Sequence, residues 1–143
     1  MAAWRRCESK IFTEFKRRFP ADTIEFDQRL LGKLSGARRQ VDILVKAQAA
    51  GCELIGVFDC KLFRRRVDVK AVDSMVGFMQ DVGATFGGIV STREFSKAAK
   101  KRAAAAGIDL RIIPFDSPAT VVEHFVPSLD FSDPRNSGYI AVI

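Results

Sequence analysis

Three residues in this chain put charge where the neighbouring sequence disfavours it. Asp42 interrupts the run QVDILV, and Asp59 and Lys61 interrupt LIGVFDCKLF. Withdrawing an isolated charge from water costs several kcal/mol unless it is paired or binds a metal. Side chains alternate along a strand, so Asp59 and Lys61 point to the same face, and adjacent strands lie about 4.8 Å apart. Asp42, on the preceding strand, can therefore bring its carboxylate beside that of Asp59. Two carboxylates and one amine suit Mg2+, which takes oxygen ligands, usually one or two carboxylates, and keeps several waters; Mn2+ is a possible substitute. The backbone carbonyl of Cys60 is a further candidate ligand, and Lys61 would position or help deprotonate water for attack on a phosphodiester. The plainer alternative makes Asp42 and Asp59 strand-end residues at solvent with Lys61 pairing one of them; the apolar context of all three together favours the site.

The elements that must position these residues follow from periodicity. Residues 4–19 place Trp4, Cys7, Ile11, Phe15 and Phe19 on one helical stripe, and Pro20 stops it. Residues 23–31 alternate, with Ile24, Phe26, Gln28 and Leu30 on one face. RQVDILVKAQ puts Val41, Ile43 and Val45 on one face, and a short Ala-Ala-Gly break leads into the strand GCELIGVFDCKLF. Asp68 caps a helix over residues 69–82, whose stripe is Val69, Val72, Met75, Val76, Met79 and Val82, and Gly83 ends it. A strand over residues 86–91 follows. An alanine-rich helix comes next, with Ser91 or Ser96 as competing caps and Gly107 as its stop. Residues 110–113 read as one more strand, residues 119–125 as a short helix, and residues 126–143 as a C-terminal tail or edge strand. The order helix, three-strand meander, helix, strand, helix, strand predicts an α/β fold with one mixed central sheet flanked by helices.

With 143 residues and 15.9 kDa the chain makes a single domain, its core about residues 4–125. A composition 48% hydrophobic and 28% charged, with mean hydropathy +0.03, excludes a disordered chain. No apolar run reaches the ~18 residues of a membrane helix, and MAAWRRCESKIF carries charge where a signal peptide would be apolar, so no membrane association and a cytoplasmic location are expected. Cys7, Cys52 and Cys60 are an odd set without CxxC spacing, read as reduced and mostly buried. One histidine, His124, makes a His-rich metal site or a Ser-His-Asp triad improbable, which leaves carboxylates and lysines to carry chemistry.

Asp42, the Asp59-Cys60-Lys61 tripeptide, the helix after it and the stretch GGIVSTREFSKAAKKRA together resemble the PD-(D/E)XK nuclease superfamily, most closely the Mrr-like restriction endonuclease group, over residues 7 to about 113. Asp42 matches the family's Asp inside an apolar strand, and Asp59 and Lys61 match its acidic residue and Lys on the next strand. Ser91-Thr92, Phe95 and Ala98-Ala99 are similar to the strand end, Phe and Ala-rich helix that follow. The chain departs at Gln40, where the family often has Gly, and at Asp59, shorter than the more frequent Glu or Gln. The resemblance implies a restriction-endonuclease-like core and a metal-dependent endonuclease hydrolysing DNA phosphodiesters. The family also carries a Glu on its first helix. At about 100° per residue Glu8 falls at roughly 80°, inside the apolar arc, and so becomes a candidate metal or water ligand.

Lys and Arg number 23 against 17 Asp and Glu, for a net charge of +6 and a pI near 9.5, which favours a polyanionic partner. The basic residues cluster at Arg38-Arg39, at Arg64-Arg65-Arg66 just after the candidate strand, and at Lys97, Lys100 and Lys101, positions from which they would flank phosphates. A solvated face explains the last group nearly as well. One such site cuts one strand, so a homodimer is plausible, as is a larger protein partner. The rival expectation is a catalytically silent nucleic-acid-binding or assembly module on the same fold.

Overall fold

The computed structural model describes residues 2–62, 65–113 and 122–123, with side chains over 8–62 and 65–113. The chain runs α1 (Ala2–Arg18), β1 (Thr23–Leu31), β2 (Arg38–Ala49), β3 (Cys52–Lys61), α2 (Val69–Val82), β4 (Phe86–Ser91), α3 (Lys97–Ala106), β5 (Asp109–Ile112) and β6 (Val122–Glu123). The strands form one sheet in sequence order. The β1–β2, β2–β3 and β5–β6 pairs are antiparallel, and the β3–β4 and β4–β5 pairs, separated by α2 and α3, are parallel. This is the α/β architecture with a mixed sheet that the sequence predicts.

Each face of the sheet buries a separate apolar cluster. On one side Ile11 and Phe15 of α1, with Phe19 just after it, lie against Ile43, Val45, Phe58, Phe86 and Val90, and Phe15 and Phe58 meet edge to face at 4.8 Å between ring centres. On the other, Val72 and Met75 of α2 and Ala99 and Ala103 of α3 cover Leu44, Val57, Ile89 and Leu110. The caps are those the sequence announces: Asp68 accepts from the backbone N–H of Lys70 and Ala71, Ser96 from that of Ala99, and Gly83 ends α2 at φ 71°.

Strict alternation fails at one place. Ile24, Phe26, Ile43 and Val45 belong to the α1 side, whereas Leu30 and Val41 pack on the α2 side. The expected single faces for residues 24–30 and 41–45 are therefore corrected. The cause is local: Asp27 takes a left-handed backbone, φ 52°, opposite Asp42, and turns the ribbon over between the two halves. Two smaller expectations also change. Cys52 is exposed because it opens β3 at the sheet's end, and Cys60 is half-buried. Val122 and Glu123 pair with Ile112 and Arg111 as β6 where a helix was expected, since an open edge of β5 offers backbone partners to a β-branched residue. The remainder of the expected helix, His124 and the tail 126–143 lie outside the described residues.

Candidate active site at the parting of β2 and β3

Registered pairs between β2 and β3 run from Ala49 with Cys52 to Ile43 with Phe58. Beyond that point β2 continues with β1, and Asp59, Cys60 and Lys61 continue with Ile89, Val90 and Ser91 of β4. Asp42 sits at the fork. Its Oδ2 accepts the backbone N–H of Cys60 at 2.9 Å, so a side chain supplies an acceptor where the ladder ends. A cleft of about 180 Å³ opens there, lined by Asp42 and Asp59 from the strands and by Ala71, Ser74, Met75 and Phe78 from α2.

Asp42 and Asp59 stand side by side, close enough for each carboxylate to shift the other's proton affinity. Burial and the bond with Asp59 push Asp42 up to about 6, against the opposing pull of the Cys60 N–H. Burial acts on Asp59 in the same direction, but the hydrogen bond from Asp42 and the Lys61 ammonium outweigh it and hold Asp59 below the usual carboxylate range. Lys61 Nζ lies 3.0 Å from Asp59 Oδ2. The three residues singled out by sequence are thus one cluster: two adjacent carboxylates, and an amine on one of them.

The donor set fits a hard divalent cation. Two adjacent carboxylates lining one cleft offer the oxygen donors such a cation takes, and Mg2+ binds through one or two carboxylates with waters completing its shell. Among the described residues no group of three or more His, Cys, Asp and Glu is arranged to hold a metal, so the rest of such a shell falls to backbone, solvent or substrate oxygen.

Of the chain, residues 26–115 match the family model Mrr_cat, restriction endonuclease. The chain belongs to this restriction endonuclease family. The matched span contains the fork, Asp42, Asp59 and Lys61, and leaves α1 outside it. The solved crystal structure of AF1548, a protein of unknown function, is similar in fold, with TM-score 0.55 and 20% identity over 68% of this chain and 53% of that one. The chain thus spans about half that protein's length, and at this identity the likeness concerns the fold alone. No curated protein matches at a significant level.

In this Mrr-type domain the other sequence-selected residues are distributed unevenly. Glu8 is half-buried on α1, across the sheet from the α2-side cleft, and among the described residues no hydrogen bond or ion pair joins it to Asp42, Asp59 or Lys61. Arg38 is exposed on β2. Arg39 is tied down, its Nη1 2.6 Å from Asp81 Oδ2 and its guanidinium over the Phe78 ring. Arg65, Arg66, Lys97 and Lys101 are exposed, Lys100 is half-buried, and Arg64 lies outside the described residues. A parallel bridge between Val67 and Phe95, with Val67 N–H donating to Glu94 O and Ser96 N–H to Val67 O, couples the segments leading into α2 and α3.

Sequence reasoning missed two groups. Asp81, buried near the end of α2, accepts from Leu34 N, Ser35 N, Ser35 Oγ and Arg39, and these bonds, first those of Ser35, hold its pKa at about 2. Gly32 must pass close by, since a Cβ there would lie 2.3 Å from Asp81 Oδ2. The available signal was an acid in the last turn of a helix, where the dipole disfavours it. The second group is Arg18 with Asp109 at 2.8 Å and Arg111 with Asp109 at 2.9 Å, all buried under α1. The strand reading of residues 110–113 did not reveal that Arg111 belongs to an ion cluster.

Proposed function

We propose that this domain is a divalent-metal-dependent endonuclease that hydrolyses DNA phosphodiester bonds at the β2–β3 fork. The observation that carries the reading is the placing of Asp42 and Asp59 in one cleft beside α2, Asp42 held by the Cys60 N–H at 2.9 Å and Lys61 Nζ 3.0 Å from Asp59. Asp42 and Asp59 would hold Mg2+ or Mn2+, with the Cys60 carbonyl as a further ligand. When bound, the cation supplies Lewis-acid polarisation of the phosphodiester and stabilises the charge that develops on it. Where Asp42 is protonated, that proton would have to leave before the carboxylate could hold the cation. Lys61, freed from neutralising Asp59 alone, orients the attacking water with its ammonium and donates hydrogen bonds towards phosphate oxygen. Glu8 enters only as a support for this set from α1. The exposed Arg38, Arg65, Arg66, Lys97 and Lys101, with Lys100, would contact the backbone phosphates.

A single site cuts a single strand, so double-strand scission requires a second copy or a second encounter. Support for the nuclease reading comes from the family and from the donor chemistry. The test is cleavage of supercoiled plasmid, single-stranded DNA and RNA with EDTA, Mg2+ or Mn2+. Metal-dependent nicking of plasmid lost in Asp59→Asn is the expected result. Binding without cleavage under every metal condition would instead identify a silent module on the same fold.

A further inference from the structure

The β1–β2 ribbon does not stop at the fork. Past Asp42 it continues through the pairs Arg29 with Gln40, Leu30 with Arg39 and Leu31 with Arg38, and closes in the turn 32–37, without β3 alongside. Its two faces have different fates. Leu30, Arg39 and Val41 turn towards α2, and Asp81 fastens the turn there through the N–H groups of Leu34 and Ser35, the Ser35 hydroxyl and Arg39. By strand alternation Arg29, Leu31, Arg38 and Gln40 share the opposite face and all are exposed, Leu31 by 62%, with Gln40 also bordering the cleft and Leu34 at the tip exposed by 78%. Among the described residues Arg29, Lys33 and Arg38 form no ion pair, and Gln40 Nε2 reaches only a long 3.5 Å contact with Asp27.

We infer that this ribbon enters the major groove of duplex DNA and reads it, with Arg29 and Gln40 meeting base edges and Arg38 meeting a flanking phosphate. The inference rests on the nuclease reading for its choice of partner, and on the ribbon itself for its mode. Charge complementarity favours a polyanion: among the described residues the face carries Arg29 and Arg38, neither in an ion pair, around the apolar Leu31, and residues 28–40 contain no acid. Dimensions favour the groove over the backbone. A major groove about 12 Å wide and about 8.5 Å deep admits a two-stranded ribbon. At about 3.4 Å per residue, the four residues from Asp42 to Arg38 span about 14 Å, enough to reach the groove floor while the carboxylates remain at the level of the phosphates.

The side-chain chemistry matches. Arginine pairs in bidentate fashion with guanine O6 and N7, glutamine with adenine N6 and N7, and an apolar side chain such as Leu31 can pack on the thymine methyl. Arg29 and Gln40 are directly opposite across the ribbon, with Cβ atoms about 4.5–5.5 Å apart, so that they fall on neighbouring base pairs. Asp81 gives the ribbon a fixed presentation, which lowers the ordering cost of docking.

The deciding experiment measures binding of the full chain, in EDTA, to short duplexes methylated at guanine N7 by dimethyl sulfate, for the natural sequence and for Arg29→Ala/Gln40→Ala. Methylation at one or more guanines should weaken natural binding by about tenfold or more. The double variant should lose that sensitivity and bind different duplexes with similar affinity, at an unchanged melting temperature because both residues are exposed. Insensitivity of the natural chain to N7 methylation, retention of full sensitivity by the variant, or absence of duplex binding overturns the ribbon's role. Plasmid cleavage with Mg2+ on the same preparations separates the two readings: N7 sensitivity without cleavage keeps the ribbon and removes the nuclease, and cleavage without N7 sensitivity does the reverse.

Discussion

Asp42 Oδ2 lies 2.9 Å from the backbone nitrogen of Cys60, across the point at which β2 and β3 separate. One carboxylate thereby does two things. It accepts the Cys60 N–H where the registered pairs of β2 and β3 end, and it stands beside Asp59, whose neighbourhood helps raise its pKa to about 6. The fork, the cleft and the acidic pair have a common origin in that residue.

Replacing Asp42 by Asn tests the pair. Asn keeps an oxygen for the Cys60 N–H and can donate to Asp59, so the fold should persist. Because the folded protein raises Asp42 from 3.8 to about 6, the stability it contributes is present below the unfolded value and is lost as pH rises through about 6. An Asn is neutral throughout. Without metal, Asp42→Asn should therefore melt higher than the natural protein at pH 8 by a few degrees, about 1 kcal/mol corresponding to roughly 3–6 °C for a chain of this size, and the gap should close towards pH 5. Cleavage should fall to background. Melting curves in EDTA at the two pH values, beside plasmid nicking in Mg2+, check both halves; natural-level nicking would remove Asp42 from the site.

Cation binding should release a proton. Below about 6 the Asp42 proton competes with Mg2+ for the carboxylates, and above it the competition fades. Calorimetric titration in two buffers of different ionisation enthalpy should show release approaching one proton per Mg2+ near pH 5.5 and falling towards none by pH 8, with affinity rising over the same interval. Binding independent of pH would mean that the cation does not use this pair.

Glu8 separates a structural acid from a supporting one. Arg18 stands ten residues further along α1, about 15 Å away, and is 2.8 Å from Asp109, so it does not pair with Glu8. Glu8→Gln should accordingly leave the metal-free stability within about 0.5 kcal/mol, while cleavage per folded molecule drops if Glu8 supports the cation or water. Urea unfolding together with the nicking rate decides it; unchanged stability and unchanged rate would leave Asp42, Asp59 and Lys61 to act without α1.

Asp81 predicts a second pH window. Its pKa is lowered to about 2 by the Ser35 hydroxyl and N–H, with Arg39 and the Leu34 N–H adding to them. A depressed carboxylate contributes stability that is present above the unfolded value near 3.8 and lost as pH falls towards 2. Asp81→Asn should lower the melting temperature at pH 7, and the difference from the natural protein should shrink between about pH 4 and pH 2. Parallel melting curves across that range would refute the anchoring role.

The sequence by itself determined the order of elements, because apolar spacing and caps are local: Asp68, Ser96, Gly83 and Gly107 end their helices through contacts a few residues away. It also determined that Asp59 and Lys61 share a face, a consequence of strand alternation alone, and that Asp42 needed a partner, a consequence of its apolar setting. Only the tertiary structure decided the rest. That β2 and β3 part at Asp42, that Asp27 turns the ribbon over at φ 52°, and that Val41 therefore faces α2 while Ile43 faces α1 are properties of two strands at once. Asp81 reaches residues 34, 35 and 39 across more than forty positions of chain, and Arg18 reaches Asp109 across ninety-one. Such pairings depend on which surfaces the packed helices bring together, and one-dimensional periodicity records which residues are buried without recording what they are buried against.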